Sequence, residues 1–274
     1  MRLPARLYQQ FDADPGLPVP AESYGGWQSH AIDLSPAHTA LVVMHAWDPN
    51  QPGQFPGWDR VVEYRPRARR ILADVFPPLL AAVRRSPLPV FHVVGGGRDY
   101  FRHLPGHRRA VALAGPEPVP TPVSPDPAFD RLQALRRAHS FPGLRNAAEV
   151  AAGFAQLDFA PTARPVGDEG IAENAHQLAA LCRAHGVNHL VYIGFAINWC
   201  LLMSPGGMVD MARQGCLCST IAEAVTAVEN RETAAEELEK QQALWRVALE
   251  FGFVFTGADF IHALPAGTPT SPLP

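Results

Sequence analysis

The stretch that decides the fold is residues 186–207, which read GVNHLVYIGFAINWCLLMSPGG. Within it, residues 189–193 form a short, almost wholly apolar run with helix-like segments before and after it. This pattern predicts a strand that is buried on both faces of a parallel sheet. Gly194 ends the run, and a tight turn then delivers Cys200 to the start of the next helix-like segment. The sequence therefore places a cysteine at the carboxyl edge of a central strand, where open α/β sheets bind ligands.

The rest of the chain alternates between strand-like and helix-like segments. Apolar runs predict further strands at residues 39–44, 89–94, 216–221 and 251–256. This alternation is typical of an α/β fold, and we predict a single doubly wound domain with a mostly parallel sheet and helices on both faces. The domain is expected over residues 37–264, after an arm at 1–36 that holds a short edge strand at 31–34. Residues 265–274 are predicted to be a disordered tail.

Two proline-rich stretches interrupt the predicted elements. Residues 105–127 contain seven prolines, which should exclude regular structure across most of this stretch. After Cys200, Ser204 and Pro205 are a suitable N-cap and first residue for a new helix. Cys200 should then lie on a short, separate turn.

Composition limits the classes of function. The chain has 274 residues and a formal net charge of −3, which argues against a nucleic-acid partner or a membrane-surface protein. No run approaches the roughly 20 apolar residues of a membrane span. The four cysteines include no C-x-x-C pair, so no disulfide framework or zinc motif is indicated. These features favour a soluble protein in a reducing, cytoplasmic setting.

Cys200 has two interpretations from its position alone. A thiol at a helix N-terminus is favoured as the thiolate, which is the form that attacks carbonyl carbons. A lone cysteine is also often a small buried side chain that only packs.

The block Gly194, Phe195, Ala196 and Cys200 resembles the nucleophile turn of the isochorismatase-like cysteine hydrolases, which include nicotinamidases and other amidases. In that family the strand ends in Gly, a hydrophobic residue, Ala, three variable residues and the catalytic Cys. The resemblance implies a six-stranded parallel sheet and a cis peptide bond between Phe195 and Ala196. It also implies an oxyanion hole made by the N–H groups of Ala196 and Cys200. Relatives are commonly dimers or larger, so a homo-oligomer is expected.

The family's other catalytic residues are not matched. Its first strand is followed by an Asp, and the resemblance places His45 at that position, with Asp48 three residues later. The family Lys has no counterpart, and Arg164 is the cation closest to its position. We therefore predict a cysteine hydrolase of small amides or related C–N bonds, with Cys200 as nucleophile and His45 as base. Asp48 would either orient His45 or be an ordinary loop carboxylate, and Arg164 is a possible site cation.

A non-catalytic alternative stays open. In this alternative the cleft has no catalytic activity, and the protein binds a small molecule or is part of an assembly. His45 is then a buried core histidine, and Arg164 is a surface residue. Some nicotinamidases hold a metal after the second strand, where this chain has Asp99, His103 and His107, with His92 on the strand. The family's Asp-x-His spacing is missing, so we expect no metal and no cofactor.

Overall fold

The computed structural model describes residues 1–267, which contain eight strands in one sheet. The strands are β1 (Arg2–Gln9), β2 (Gly26–Asp33), β3 (Thr39–Met44), β4 (Val90–Val93), β5 (Gly170–Ala172), β6 (His189–Gly194), β7 (Leu217–Val225) and β8 (Val254–Phe255). The helices are α1 (Pro56–Val61), α2 (Arg65–Asp74), α3 (Phe76–Arg84), α4 (Pro105–Ala114), α5 (Pro127–His139), α6 (Ala147–Phe154), α7 (Ala175–His185), α8 (Met208–Arg213), α9 (Leu238–Glu250) and α10 (Gly257–Ala263). Residues 268–274 of the predicted tail lie outside the described residues.

The strand order is β2-β1-β8-β7-β6-β3-β4-β5. The six strands from β3 to β8 are mutually parallel, as the sequence predicts. The sheet is larger than the predicted six strands, because the first 33 residues add β1 and β2 as an antiparallel pair beside β8. The strand order reverses between β3 and β6. In doubly wound sheets this switch point opens the crevice in which ligands bind.

Helices cover both faces of the sheet, as predicted for a doubly wound fold. One core layer packs α4, α7, α8 and α9 against the sheet, and the other packs α2, α3 and α10 against its opposite face. Both layers are built from apolar side chains on the inward stripe of each helix. Among the helices of residues 1–267, none is both long enough and apolar enough to span a membrane.

The prediction of irregular structure at residues 105–127 is wrong for its first half. Pro105 is the first residue of α4, a position where the missing N–H costs no hydrogen bond. Pro127 opens α5 in the same way, and the Asp126 side chain caps that helix by accepting from the Phe129 N–H at 2.8 Å. Residues 115–126 between the two helices are irregular, as predicted.

Candidate active site

Cys200 lies in a five-residue π-helical turn, Ile197–Leu201, that follows β6. The Leu201 N–H donates to the Ala196 carbonyl at 3.1 Å, which closes the turn. The Asn198 side chain donates to the Val228 carbonyl and accepts from the Val228 N–H, both at 2.8 Å. Short π-helical segments are frequent at functional sites, and this one is fastened to the segment after β7.

The turn confirms one prediction and corrects another. The peptide bond between Phe195 and Ala196 is cis, as the family resemblance implies. The next helix begins at Met208 and not after Ser204, and Cys200 is the fourth residue of a separate short turn, as predicted. A five-residue turn has a smaller dipole than a full helix, so the macrodipole argument for a thiolate at Cys200 is weakened. The Ala196 N–H, expected in the oxyanion hole, donates no backbone hydrogen bond within residues 1–267.

His45 directly follows β3 and has a left-handed backbone with φ of +49°. Its N–H donates to the Val93 carbonyl at 3.0 Å, and its ring stacks on Trp47 with centroids 4.7 Å apart. Gly95 makes room for the imidazole, because a Cβ at that position would lie 2.9 Å from Nε2. The imidazole is thus held in one place by backbone, stacking and a close glycine.

Burial sets the charge of His45. Desolvation lowers the pKa of His45 from 6.5 to about 4, and a backbone hydrogen bond with Val94 acts in the opposite direction. The imidazole is therefore neutral at pH 7. Its Nδ1 is buried and has no hydrogen-bond partner in the described part of the chain. A neutral ring with an unpartnered nitrogen is able to accept a proton.

Asp48 and Arg164 are engaged elsewhere. The Asp48 carboxylate accepts from the Asn50 N–H at 2.8 Å, as a loop carboxylate does, and it does not reach His45 Nδ1. Arg164 is half exposed and forms an ion pair with Asp158. It is not among the residues that line the cavity at Cys200.

This cavity has a volume of about 210 Å³ and brings together three of the predicted site residues, Cys200, His45 and Asp48. No hydrogen bond joins the Cys200 thiol to His45 or to any other described residue. Most of the wall is aromatic. The rings are Trp47, Trp58, Tyr64, Phe141, Phe154, Phe195 and Trp199.

Two polar residues in the wall, Tyr64 and Arg65, are missed by sequence reasoning. Arg65 is buried, donates to Asp59 Oδ1 at 2.6 Å and lies over the Trp58 ring at 4.0 Å. Desolvation lowers the pKa of Arg65, with the Asp59 hydrogen bond opposing it. The same Asp59 oxygen also accepts from Arg69 at 2.9 Å. Two guanidinium groups thus share the Asp59 carboxylate, and Arg65 brings one of them to the cavity wall.

Tyr64 lines the cavity, and its phenol makes no hydrogen bond within residues 1–267. Its ring stacks on Phe195, with centroids 6.4 Å apart, and Phe195 in turn stacks on Phe76. Burial, followed by the proximity of Cys200, raises the pKa of Tyr64. The phenol thus stays protonated and is a hydrogen-bond donor. The sequence gives little indication that Tyr64 lies in a site. It directly precedes the basic run at residues 65–70, and such a segment is typical of an ordinary helix start.

The histidines considered for a metal are distributed over other contacts. His92 is buried on β4 and its Nε2 lies 2.8 Å from Glu169, while His107 on α4 lies 2.8 Å from Glu173. Across residues 1–267, no group of three or more His, Cys, Asp or Glu side chains is arranged to hold a metal ion. The two His–Glu pairs fasten β4 and α4 to the segments on either side of β5.

Comparisons with known proteins show similarity at the level of the fold. No family model matches the sequence, and no curated protein matches it. A cysteine hydrolase from Pseudomonas syringae pv. phaseolicola is 15% identical, with a TM-score of 0.48 over 84% of this chain and 93% of that chain. An isochorismatase family protein from Burkholderia thailandensis is 19% identical, with a TM-score of 0.44 over 84% and 97%. N-carbamoylsarcosine amidase from Thermoplasma acidophilum is 17% identical, with a TM-score of 0.42 over 80% and 96%.

Proposed function

We propose that this protein is a cysteine hydrolase that cleaves a small amide or a related C–N bond. One observation carries the proposal. Cys200 and a neutral His45 imidazole, whose Nδ1 has no hydrogen-bond partner in the described chain, line the same aromatic cavity at the carboxyl ends of the adjacent strands β6 and β3. A nucleophile and a base in one enclosed cavity are the minimum that covalent acyl transfer needs.

In the proposed reaction, His45 takes the proton of the Cys200 thiol, and the sulfur attacks the substrate carbonyl carbon. The oxyanion of the tetrahedral intermediate accepts hydrogen bonds from the Ala196 and Cys200 N–H groups. The C–N bond then breaks, and the amine leaves with the proton that His45 held. Water attacks the resulting thioester, giving the carboxylic acid and the free thiol.

Burial makes His45 a short-lived carrier of the proton. Its pKa of about 4 means that the imidazolium is costly in this cavity, so the proton should pass quickly to the leaving amine. The thiolate formed beside it needs support that the missing family Lys does not give. Tyr64, as a neutral donor, and Arg65, as a cation, are placed in the cavity wall to supply it.

The aromatic wall favours a substrate with an apolar or ring-shaped part. Rings on several sides of a cavity of about 210 Å³ exclude water and stack on a flat group. Exclusion of water strengthens each hydrogen bond made to the reacting carbonyl.

A second candidate function is binding without catalysis. It is favoured by the absence of any hydrogen bond to the Cys200 thiol in the described chain and by the engagement of Asp48 with Asn50. On this reading the aromatic cavity holds a small apolar molecule, and Cys200 is one of its wall residues.

A panel of small aromatic and aliphatic amides distinguishes the two functions. Wild-type protein should release amine from at least one amide, and Cys200→Ala should fall to the uncatalysed rate while keeping its melting temperature. Amides that raise the melting temperature of both proteins equally, with no turnover by either, would instead establish the binding function.

A further inference from the structure

The segment between α4 and α6 stands apart from the core layers of the domain. No residue between Ala110 and Val150 is buried, and this includes the whole length of α5. The apolar side chains Phe129, Leu132 and Leu135 of α5 are 49%, 62% and 57% exposed. Most helical stability in proteins comes from packing an apolar face, and α5 lacks this packing. The segment therefore belongs to the least stable part of the fold.

Two side-chain hydrogen bonds fasten the segment to the domain, one near each end. Glu117 Oε2 accepts from the Asn174 side chain at 2.7 Å, and Asn146 Oδ1 accepts from Arg60 Nε at 3.4 Å. Between these two points, the hydrogen bonds of residues 118–145 in the described chain lie within the segment itself. A long stretch held at its two ends can move as one unit while the domain stays folded.

Phe141 is the residue through which this segment reaches the cavity at Cys200. It is a wall residue, and no other residue of 118–145 lines this cavity. The Phe141 side chain is 41% exposed, and that of Trp199, which precedes Cys200 in the chain, is 50% exposed. The remaining rings of the wall are each less exposed than these two. Phe141 and Trp199 therefore mark the mouth of the cavity.

The two rings at the mouth differ in how firmly they are held. Trp199 belongs to the π-helical turn, which the Asn198 side chain fastens to Val228 by two hydrogen bonds of 2.8 Å. Phe141 belongs to the weakly held segment. One side of the mouth is thus fixed and the other can move, and long connections of this kind are often lids over active sites.

We propose that residues 118–145 form a lid over the cavity and that Phe141 closes it on the flat, apolar part of a bound molecule. When the lid opens, the mouth beside Trp199 admits the molecule. When it closes, Phe141 packs on the ring of that molecule and excludes water from Cys200. Closing must order a segment that has little other packing, so a ring in the cavity has to supply the contact that favours the closed state.

Phe141 is then a specificity-determining residue that selects molecules with an aromatic part. The selection of an aromatic amide as substrate rests on the proposed hydrolase function, whereas the motion of the lid does not.

Hydrogen exchange followed by mass spectrometry tests the lid in the whole protein. The probe is N-phenylmaleimide, which places a phenyl ring in the cavity when the Cys200 sulfur adds to its C=C bond and the thiol proton passes to the neighbouring carbon. Without the probe, the amides of residues 118–145 should exchange about a hundredfold faster than those of α7, which has five buried residues. With the probe on Cys200, exchange in residues 118–145 should become about tenfold slower.

Three variants make the test specific to Phe141. In Phe141→Ala, labelling of Cys200 should no longer slow the exchange of the lid. Leu144→Ala is the matched control, because Leu144 lies in the same segment, is 78% exposed and does not line the cavity, and this variant should keep the effect. Cys200→Ala treated with the same reagent should show no slowing, which separates the label on Cys200 from labels on the other cysteines.

Several results would overturn the inference. One is exchange in residues 118–145 that is already as slow as in α7 before labelling. Another is a probe that does not reach Cys200 at all, as judged by the mass of its peptide. The others are a labelled wild-type protein with no slowing, and slowing that persists in Phe141→Ala.

Kinetics on the amide panel link the lid to the substrate. Phe141→Ala should raise KM for an aromatic amide about tenfold and leave KM for aliphatic amides nearly unchanged, because only the aromatic amide offers a ring to Phe141. Equal changes for both kinds of amide would contradict the selection by Phe141. If the exchange results hold and wild-type protein turns over no amide, the proposed hydrolase function fails and the lid stands.

Discussion

Met44 and Gly194 are partners in the parallel ladder between β3 and β6, where each is the last residue of its strand. His45 and the segment from Phe195 to Cys200 therefore leave the sheet from the same level of its carboxyl edge. This pairing explains how two residues 155 positions apart line one cavity. It also means that the separation of imidazole and thiol depends on the two strand ends keeping their register.

We expect His45 to govern the reactivity of Cys200. Since a neutral base can accept the thiol proton while the sulfur attacks, His45→Asn should react with iodoacetamide more slowly at pH 7, by about tenfold. The rate is followed on the Cys200 peptide by mass spectrometry, which separates it from the other three cysteines. His30→Asn, an exposed histidine on β2, serves as the control. Identical pH profiles for His45→Asn and wild type would contradict the role of His45 as base.

Folding stability should fall as the pH drops from 6.5 toward 4. The pKa of His45 is about 4 in the folded protein and near 6.5 when unfolded, so the unfolded chain binds more protons in this window. The free energy of unfolding is unaffected by His45 above pH 6.5. It decreases as the pH falls from 6.5 through 4, and the total decrease due to His45 is about 3 kcal/mol. Urea unfolding at pH 7 and at pH 4 should show a smaller difference for His45→Asn than for wild type. Asn is chosen because it tolerates the left-handed backbone at this position.

Tyr64 should support the thiolate of Cys200. Tyr64→Phe keeps the ring that stacks on Phe195 and removes only the donor, so the alkylation profile of Cys200 should shift to higher pH. A hydrogen bond to a charged group is worth about 1.5–3 kcal/mol, so we expect a loss of roughly tenfold or more in kcat/KM. Tyr8→Phe, at the far edge of the sheet, controls for loss of a phenol. If the Tyr64→Phe profile matched that of wild type, Tyr64 would have only a packing role.

The fold could be predicted from the sequence because its signals are local. The apolar run at residues 189–193 and the glycine that ends it specify a buried strand and a turn, and they are found as β6 and its end. The two additional strands, β1 and β2, were not predicted in full, because residues 2–9 and 26–33 lack a continuous apolar run and are exposed along much of their length. Their place in the sheet depends on antiparallel pairing with each other, on the pairing of Arg6 with Val254 in β8, and on the burial of Leu3 and Ala5 in the core.

Within the candidate site, only residues that come shortly after a predicted strand could be located from the sequence. Cys200 was located because it follows a predicted strand and matches the nucleophile turn of the family that the sequence resembles. His45 was located because the same resemblance places it at the position of the family's Asp, after the first buried strand. Arg65 and Tyr64 come from a helix start 20 residues after β3, and no spacing rule links a helix start to a strand end. Arg164 was chosen by its distance along the chain from Cys200, and in the structure it pairs with Asp158 on the surface. The position of Arg164 in the sequence does not show whether its side chain faces the cavity or the solvent.

Gly194 should be the residue in this region that tolerates substitution least. It has φ of +129°, and a Cβ there would lie 1.9 Å from the Met44 carbonyl oxygen. Gly194→Ala must therefore separate the ends of β3 and β6, and we expect it to lower the free energy of unfolding by about 3 kcal/mol or more. Gly26→Ala is the matched control, since Gly26 also has positive φ but a Cβ there meets nothing within 4 Å. That variant should cost only about 1 kcal/mol for the left-handed backbone. Denaturant unfolding measures the decrease in the free energy of unfolding for both variants. Equal decreases would mean that the close contact with β3 is not the reason why residue 194 must be glycine.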